Sequence, residues 1–284
     1  MRHLILFLSL LCVYGLLAQS PGAARDSILG EMYAAIMEQE DDEARMKASE
    51  AFKQELRSTL FKEGAFHHPF ETLNMCKKTA PDGRFRIFNW NIPLSDGTEF
   101  YEALVIIPKN RSGMVDVMEL KDASEDMDRP QDKVLRPDKW FGALYYDIIP
   151  FKKGGGDHYV LLGWDGDSPI TNRKVIDVIT LSGKNIRFGA PVFRTDKGTK
   201  KRLLFTYGEQ LSMSLIYQDK EGRIIFDHLA PRESRLEGQF QFYGPDMSFD
   251  ALNYKKGRWE WESNIEFKRK RTPKDKEFND PRVK

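Results

Sequence analysis

Two acid–histidine pairs are the first candidates for chemistry in this sequence. Asp157 directly precedes His158, and Asp227 directly precedes His228. An imidazole beside a carboxylate can act as a general acid or base near neutral pH, or as a metal ligand. Neighbouring residues of a strand face opposite ways, so neither pair has to act together, and a histidine that only caps a strand end is the alternative. We take Asp157, His158, Asp227 and His228 as the catalytic candidates.

The run from Gly163 to Ser168, with the sequence GWDGDS, carries two carboxylates and is the most distinctive candidate for metal binding. Its composition predicts a tight turn, and carboxylate oxygens are ligands that calcium prefers. The run lacks the closing glutamate of an EF-hand loop, and Asp and Ser favour turns for local reasons alone. We predict no cofactor, and calcium at Asp165 and Asp167 is the alternative that these residues allow.

Sequence motifs of common enzyme classes are missing. The chain contains no HExxH zinc motif, no Gly-x-Ser-x-Gly nucleophile elbow and no phosphate-binding loop. The sequence therefore favours a non-catalytic binding or structural module. A hydrolase, with glycans as candidate substrates, that uses loop carboxylates and a histidine at strand ends is the alternative.

Predicted strands must position these candidates. From residue 84 the apolar period is two, and turn signals recur every 8 to 12 residues or so, which indicates an antiparallel, mainly β body. The predicted strands are 84–90, 100–107, 141–150, 159–164, 173–181, 203–207, 213–217, 223–226, 250–254 and 258–261. We expect a propeller-like or barrel-like meander, with a two-sheet sandwich as the alternative.

An amphipathic helical segment precedes the strands. Ile28, Met32 and Ile36 recur at helical spacing, and the period resumes at Phe52 and Leu56 after an acidic stretch. This pattern predicts one long helix, or two that join near residue 41, over residues 26–63. The predicted organisation is a signal peptide at 1–18, a helical segment at 19–80, an antiparallel β domain at 81–267 and a basic flexible tail at 268–284.

The first residues predict export. Arg2 and His3 precede an almost unbroken apolar run from Leu4 to Leu17, which is shorter than the about 20 residues that cross a bilayer. Cleavage after Ala18 would remove Cys12 and leave Cys76 as the single cysteine, so no intramolecular disulfide is expected. We expect a periplasmic or extracellular protein with no transmembrane helix in the mature chain.

Composition limits the partners. The 284 residues include 44 Lys and Arg against 43 Asp and Glu, and 40% are hydrophobic. That hydrophobic content excludes a disordered chain, and the net charge of +1 gives no general attraction to nucleic acid. An envelope protein or a glycan is the expected partner, nucleic acid is not, and the oligomeric state is left open.

Four segments carry a resemblance to other sequences. They are Lys139 to Tyr146, Tyr159 to Gly166, Phe226 to Pro231 and Phe249 to Trp261. Through them, residues 85–262 resemble a group of uncharacterised secreted bacterial proteins. The resemblance implies an exported or envelope protein, and it implies no activity and no catalytic residues.

Overall fold

The computed structural model of the protein describes residues 21–109, 113–183 and 185–267. The predicted signal peptide at 1–18 and the predicted tail at 268–284 lie outside these ranges. Two helices begin the described chain, α1 (Pro21–Met37) and α2 (Asp42–Leu60). Asp41 separates them because its carboxylate accepts a hydrogen bond from the Ala44 amide (2.8 Å) and caps α2. Neither described helix is long and apolar enough to cross a membrane.

The strands follow in chain order: β1 (Cys76–Thr79), β2 (Arg86–Pro93), β3 (Glu99–Pro108), β4 (Val115–Lys121), β5 (Leu144–Phe151), β6 (Asp157–Ser168), β7 (Thr171–Ser182), β8 (Asn185–Phe188), β9 (Phe193–Thr195), β10 (Gly198–Lys200), β11 (Leu203–Gly208), β12 (Leu215–Gln218), β13 (Arg223–Pro231), β14 (Tyr243–Lys255) and β15 (Arg258–Glu262). Short 3-10 turns lie at Pro130–Asp132, Pro137–Lys139, Ser234–Leu236 and Phe240–Phe242. The predicted mainly β, antiparallel fold with an N-terminal helical segment is confirmed.

The strands form three separate sheets in the described chain. The first sheet has the order β1-β2-β3-β4, and the middle sheet has the order β11-β7-β6-β5, with β8 also paired to β7. The third sheet has the order β10-β9-β15-β14-β13-β12. Pairing is antiparallel except between β15 and β9. None of the three sheets closes into a barrel, so the architecture is an open stack of sheets.

The middle sheet is buried on both faces. Tyr159 and Leu161 of β6 pack in one apolar cluster with the first sheet, and Val160 and Leu162 pack in another with the third sheet. The helices cover the outer face of the first sheet through a third cluster. The layers are therefore helices, first sheet, middle sheet and third sheet. Because both faces are covered, the central strands are apolar at successive positions rather than at every second one.

Polar contacts fix α2 on the first sheet. Lys53 of α2 donates to Glu102 of β3 (2.9 Å) and also pairs with Glu119 of β4 (2.9 Å). Ser49 donates to the other Glu102 oxygen (2.6 Å) and accepts from the Trp90 indole (2.8 Å). Burial alone would lower the pKa of Lys53, but its hydrogen bonds to the carboxylates raise the pKa overall. The helix is thus held by charge as well as by apolar packing.

A fully buried ion pair joins Asp177 of β7 to Arg202, the residue that directly precedes β11. Arg202 Nε donates to Asp177 Oδ2 (2.7 Å), and both side chains are completely buried. Arg202 also donates to the Pro130 carbonyl (2.7 Å), and the Tyr145 hydroxyl donates to Asp177 (3.2 Å). Trp140 in turn donates to the Tyr145 hydroxyl (3.1 Å). This network joins the segment between β4 and β5 to the middle sheet.

Removal of one member of this pair should destabilise the fold strongly, because the other charge is left buried and uncompensated. We expect Arg202→Met to lower the free energy of unfolding by about 3–5 kcal/mol. The matched control is Arg235→Met, since Arg235 pairs with Glu233 on the surface; an exposed pair is worth about 0–1 kcal/mol. Urea unfolding measures both variants. Equal losses in the two variants would contradict the role assigned to the buried pair.

Candidate functional site

The first catalytic candidate pair lies apart from the other candidates. Asp157 forms an ion pair with Arg84, and the Nδ1 atom of His158 lies 2.9 Å from the Gly156 carbonyl oxygen. Both side chains line a shallow cavity of about 580 Å³ beside the loop that connects β5 and β6. Burial lowers the pKa of His158. The pair therefore occupies a turn, and its carboxylate is neutralised by an arginine.

The second candidate pair is divided between different contacts. Asp227 accepts a hydrogen bond from the Ser214 amide (2.7 Å), whereas His228 contacts Asp250 through Nδ1 (2.9 Å). His228 lines a different cavity from His158. The carboxylate partner of His228 is therefore Asp250 and not Asp227, its neighbour in sequence.

Asp165 and Asp167 lie at the end of β6, so the prediction that they occupy a tight turn is wrong. The hairpin turn comes later, at residues 169–170. A bulge explains the difference, because the register between β6 and β7 shifts between Asp165 and Ser168. Asp165 still pairs with Arg173 across the ladder. The guanidinium of Arg173 contacts both carboxylates, at 3.4 Å from Asp165 and 2.5 Å from Asp167.

These two carboxylates line a cleft of about 860 Å³. All three sheets contribute to it. The first sheet provides residues 98–100 and the segment that follows β4, and the β6–β7 hairpin provides the carboxylates and Arg173. Gly238, Phe240 and Gln241 come from the connection between β13 and β14. The cleft is thus the place where the ends of the three layers meet.

Asp165 has the most perturbed environment in the cleft. Burial raises its pKa to about 7, the charge of Asp167 adds to the rise, and Arg173 opposes it. The Tyr101 hydroxyl donates to Asp165 Oδ1 (3.1 Å) and accepts from the Gly166 amide (2.8 Å). Near neutral pH, Asp165 is therefore partly protonated, and hydrogen bonds fix its position.

Asp122 supports the wall of the cleft. One of its oxygens accepts from the Tyr101 amide (3.1 Å), and the other accepts from the Gly142 amide (3.1 Å) and from the Ser124 amide and hydroxyl (2.9 and 2.6 Å). Position 142 requires glycine, because a Cβ atom there would lie 2.5 Å from the Asp122 carboxyl group. Asp122 therefore connects β3, the segment after β4 and the segment before β5.

The oxygens proposed for calcium are already engaged. Arg173 lies against both carboxylates, and the Thr171 hydroxyl also donates to Asp167 (2.6 Å). Within the described residues, no group of three or more His, Cys, Asp or Glu side chains is arranged to hold a metal ion. Calcium at Asp165 and Asp167 stays a prediction, and it requires the ion to displace Arg173.

Several residues of the cleft were not predicted from the sequence. Tyr101 reaches Asp165 from another sheet, 64 residues away in sequence, and Asp122 in turn holds Tyr101. Arg173 reaches Asp165 across the β6–β7 hairpin. Phe240 lies in a 3-10 turn, and 48% of its surface is exposed. In the sequence, Asp122 and Arg173 are recognisable only as charged residues near strand ends, and many surface residues share that feature.

The raised pKa of Asp165 gives a pH dependence of stability with a defined sign. The folded state holds this proton more tightly than the unfolded state, so the stabilising contribution is complete below about pH 4 and is lost as the pH rises to about 7. Asp165→Asn cannot ionise. We expect its free energy of unfolding, relative to the wild type, to increase between pH 4 and pH 8 by on the order of 2–4 kcal/mol.

Denaturant unfolding at several pH values measures this difference. The matched control is Asp138→Asn, because a hydrogen bond from Arg136 lowers the pKa of Asp138. The control should show a smaller change of opposite sign, since a lowered pKa stabilises the folded state at high pH. If the free energies of unfolding of the wild type and of Asp165→Asn changed equally with pH, the raised pKa of Asp165 would be refuted.

The cleft is defined by geometry and charge: six acidic side chains, Asp165 and Asp167 among them, line one cavity together with the guanidinium of Arg173 and a partly exposed aromatic ring. Its walls are held by Asp122 and Tyr101 rather than by a mobile segment. Comparisons with protein-family models, with curated proteins and with solved structures find no match for this chain.

Proposed function

We propose that this cleft is a non-catalytic binding site, in a protein of the bacterial envelope, that holds a glycan. The observation that carries the proposal is the combination, in one cavity, of charged hydrogen-bonding groups with an exposed aromatic ring at the mouth. The cavity volume of about 860 Å³ falls within the range of about 300–1,000 Å³ that is usual for small-ligand sites.

The lining suits the hydroxyl groups of a sugar. A hydroxyl both donates and accepts hydrogen bonds, and the cleft offers acceptors in its carboxylates and donors in Arg173. The side chains of Gln131 and Gln241 offer both. Such a lining can form hydrogen bonds with a polyhydroxylated ligand, and its six acidic side chains disfavour an anionic one.

Two exposed apolar side chains flank these polar groups. Phe240 and Ile170 both line the cleft, and both expose about half of their surface. The flat face of an aromatic ring can cover the apolar C–H face of a sugar ring, and this burial contributes affinity. The polar and apolar groups together match the two faces of a saccharide.

The arrangement favours holding a ligand over transforming it. Asp165 is fixed by Tyr101 and Arg173, and Asp167 by Arg173 and Thr171, so both carboxylates already have partners. No histidine lines this cleft among the described residues. These contacts support a recognition site whose polar groups are organised before the ligand arrives.

Replacement of the aromatic ring tests the proposed binding site. We expect Phe240→Ala to weaken glycan binding about tenfold, or about 1.4 kcal/mol, because the stacking surface is lost. The matched control is Phe242→Ala: Phe242 is also exposed, at 41%, but lines a neighbouring cavity instead. A glycan array would identify a ligand, and isothermal titration calorimetry would measure its affinity.

Two outcomes would count against this site. The first is an array on which the protein binds no glycan. The second is an equal loss of affinity in Phe240→Ala and Phe242→Ala, which would place the ligand outside the cleft. If the wild type bound an envelope protein and no glycan, the ligand of the cleft would be a protein instead of a glycan.

We also propose export to the periplasm or the exterior of the cell. The support is the basic start and the apolar run from Leu4 to Leu17. We expect the mature chain to begin at Gln19 when expressed in bacteria, and Leu8→Arg to block processing because a charge interrupts the apolar run. Mass spectrometry of the fractionated cells gives the N-terminus, with Leu8→Ile as the control. A mature protein that retains residues 1–18 would contradict export by this route.

A further inference from the structure

A second groove, of about 1070 Å³, contains a histidine held by a buried carboxylate. The Asp250 side chain is only 2% exposed, and its Oδ2 lies 2.9 Å from His228 Nδ1. Its other oxygen accepts from the Asn264 amide (2.9 Å), so the carboxylate cannot turn away. The His228 side chain is 43% exposed in the groove. A carboxylate in this position fixes both the orientation of the ring and the proton on Nδ1.

The remaining ring nitrogen is available to a ligand. Nε2 of His228 makes no hydrogen bond to any group in the part of the chain that the structure describes. With the Nδ1 proton held by Asp250, Nε2 carries a lone pair and can accept a proton. The buried acid, the oriented imidazole and the open nitrogen are the parts that a general base requires.

A local distortion of the third sheet produces this arrangement. Asp227 pairs with Phe249 and Leu229 pairs with Pro245, so His228 faces three residues on β14 where a regular ladder has one. The middle one, Met247, has φ +73° and is 93% exposed. A methionine in this backbone region costs about 1–3 kcal/mol, and bulges that redirect a side chain are common beside active sites. The strain therefore coincides with the one oriented histidine of the groove.

The rest of the groove indicates what kind of substrate it accepts. Phe205 and Trp261 provide an apolar wall. Arg194 and Lys197 also line the groove, and neither forms an ion pair within the described residues. An apolar wall beside a free cation suits an acyl group whose carbonyl oxygen gains negative charge during reaction.

We propose that this groove hydrolyses a carboxylic ester, with His228 as the catalytic base and Asp250 as a positioning residue. Nε2 of His228 takes a proton from a water molecule, and the water oxygen attacks the carbonyl carbon of the ester. The bond between that carbon and the ester oxygen then breaks. Protonated His228 returns the proton to the departing oxygen, so one ester and one water give one carboxylic acid and one alcohol. This activity is independent of glycan binding in the cleft.

The test uses the mature chain and p-nitrophenyl acetate as the probe. We expect release of p-nitrophenol above the buffer rate, and His228→Gln should lower kcat at least about 100-fold, the usual range for loss of a general base. The matched control is His67→Gln, because His67 is an exposed histidine that lies far along the chain from the groove and does not line it. The control should keep the wild-type rate.

Asp250→Asn separates positioning from structural support. We expect kcat to fall at least about tenfold while KM stays within about twofold, because Asp250 holds the base and does not touch the substrate. Circular dichroism would verify the fold of each variant, and if Asp250→Asn is unfolded the half-exposed His228→Gln decides the question. A wild-type rate equal to buffer, a His228→Gln variant as active as the wild type, or an equal loss in His67→Gln would each overturn the proposal.

Discussion

The buried pair of Arg202 and Asp177 is the constraint on which the rest of the structure depends. A buried charged pair is costly unless its charges compensate each other and hydrogen bonds satisfy most of its donors and acceptors. Tyr145, the Pro130 carbonyl and the Val178 amide supply such partners, Arg202 Nη2 has none among the described residues, and the Arg202 guanidinium lies over the Phe141 ring. These partners come from the segment between β4 and β5 as well as from the sheet itself. That segment forms one wall of the acidic cleft, so the pair positions the cleft as well as the core.

Coverage of the middle sheet on both faces decides where function can reside. Apolar side chains fill most of both faces of β6 and β7, with Asp177 buried among them, and the polar groups that line the cleft lie at the strand ends. The cleft lies at one such end, where β6 and β7 pass Asp165 and Arg173. The groove of His228 lies where the middle and third sheets both contribute residues. Both sites therefore rest on rigid elements, which favours precise placement of their side chains.

Local signals in the sequence predicted ten of the fifteen described strands, whereas β1, β4, β8, β9 and β10 are absent from the predicted set. The long-range pairing of strands cannot be predicted from local signals. Two consecutive pairs of predicted strands form antiparallel hairpins, 84–90 with 100–107 and 250–254 with 258–261. The choice of sheet is not local: β11 joins the middle sheet, and β9 pairs with β15 across more than 60 residues of sequence. The sites follow the same rule. His228 was recognised from its type, but its partner Asp250 is set by the register of β13 and β14.

Register breaks are the feature that the two proposed sites share. In a regular ladder, residues at i and i+2 point to the same face of the sheet. Without the register breaks, the side chains of Asp165, Asp167 and His228 would point into an apolar core or away from their present partners. The bulge after Asp165 brings Arg173 between two carboxylates, and the bulge opposite His228 opens space around an imidazole above Asp250. The two distortions yield different chemistry because their partners differ. A guanidinium neutralises its carboxylates and leaves a surface for recognition, whereas a buried carboxylate prepares an imidazole to accept a proton.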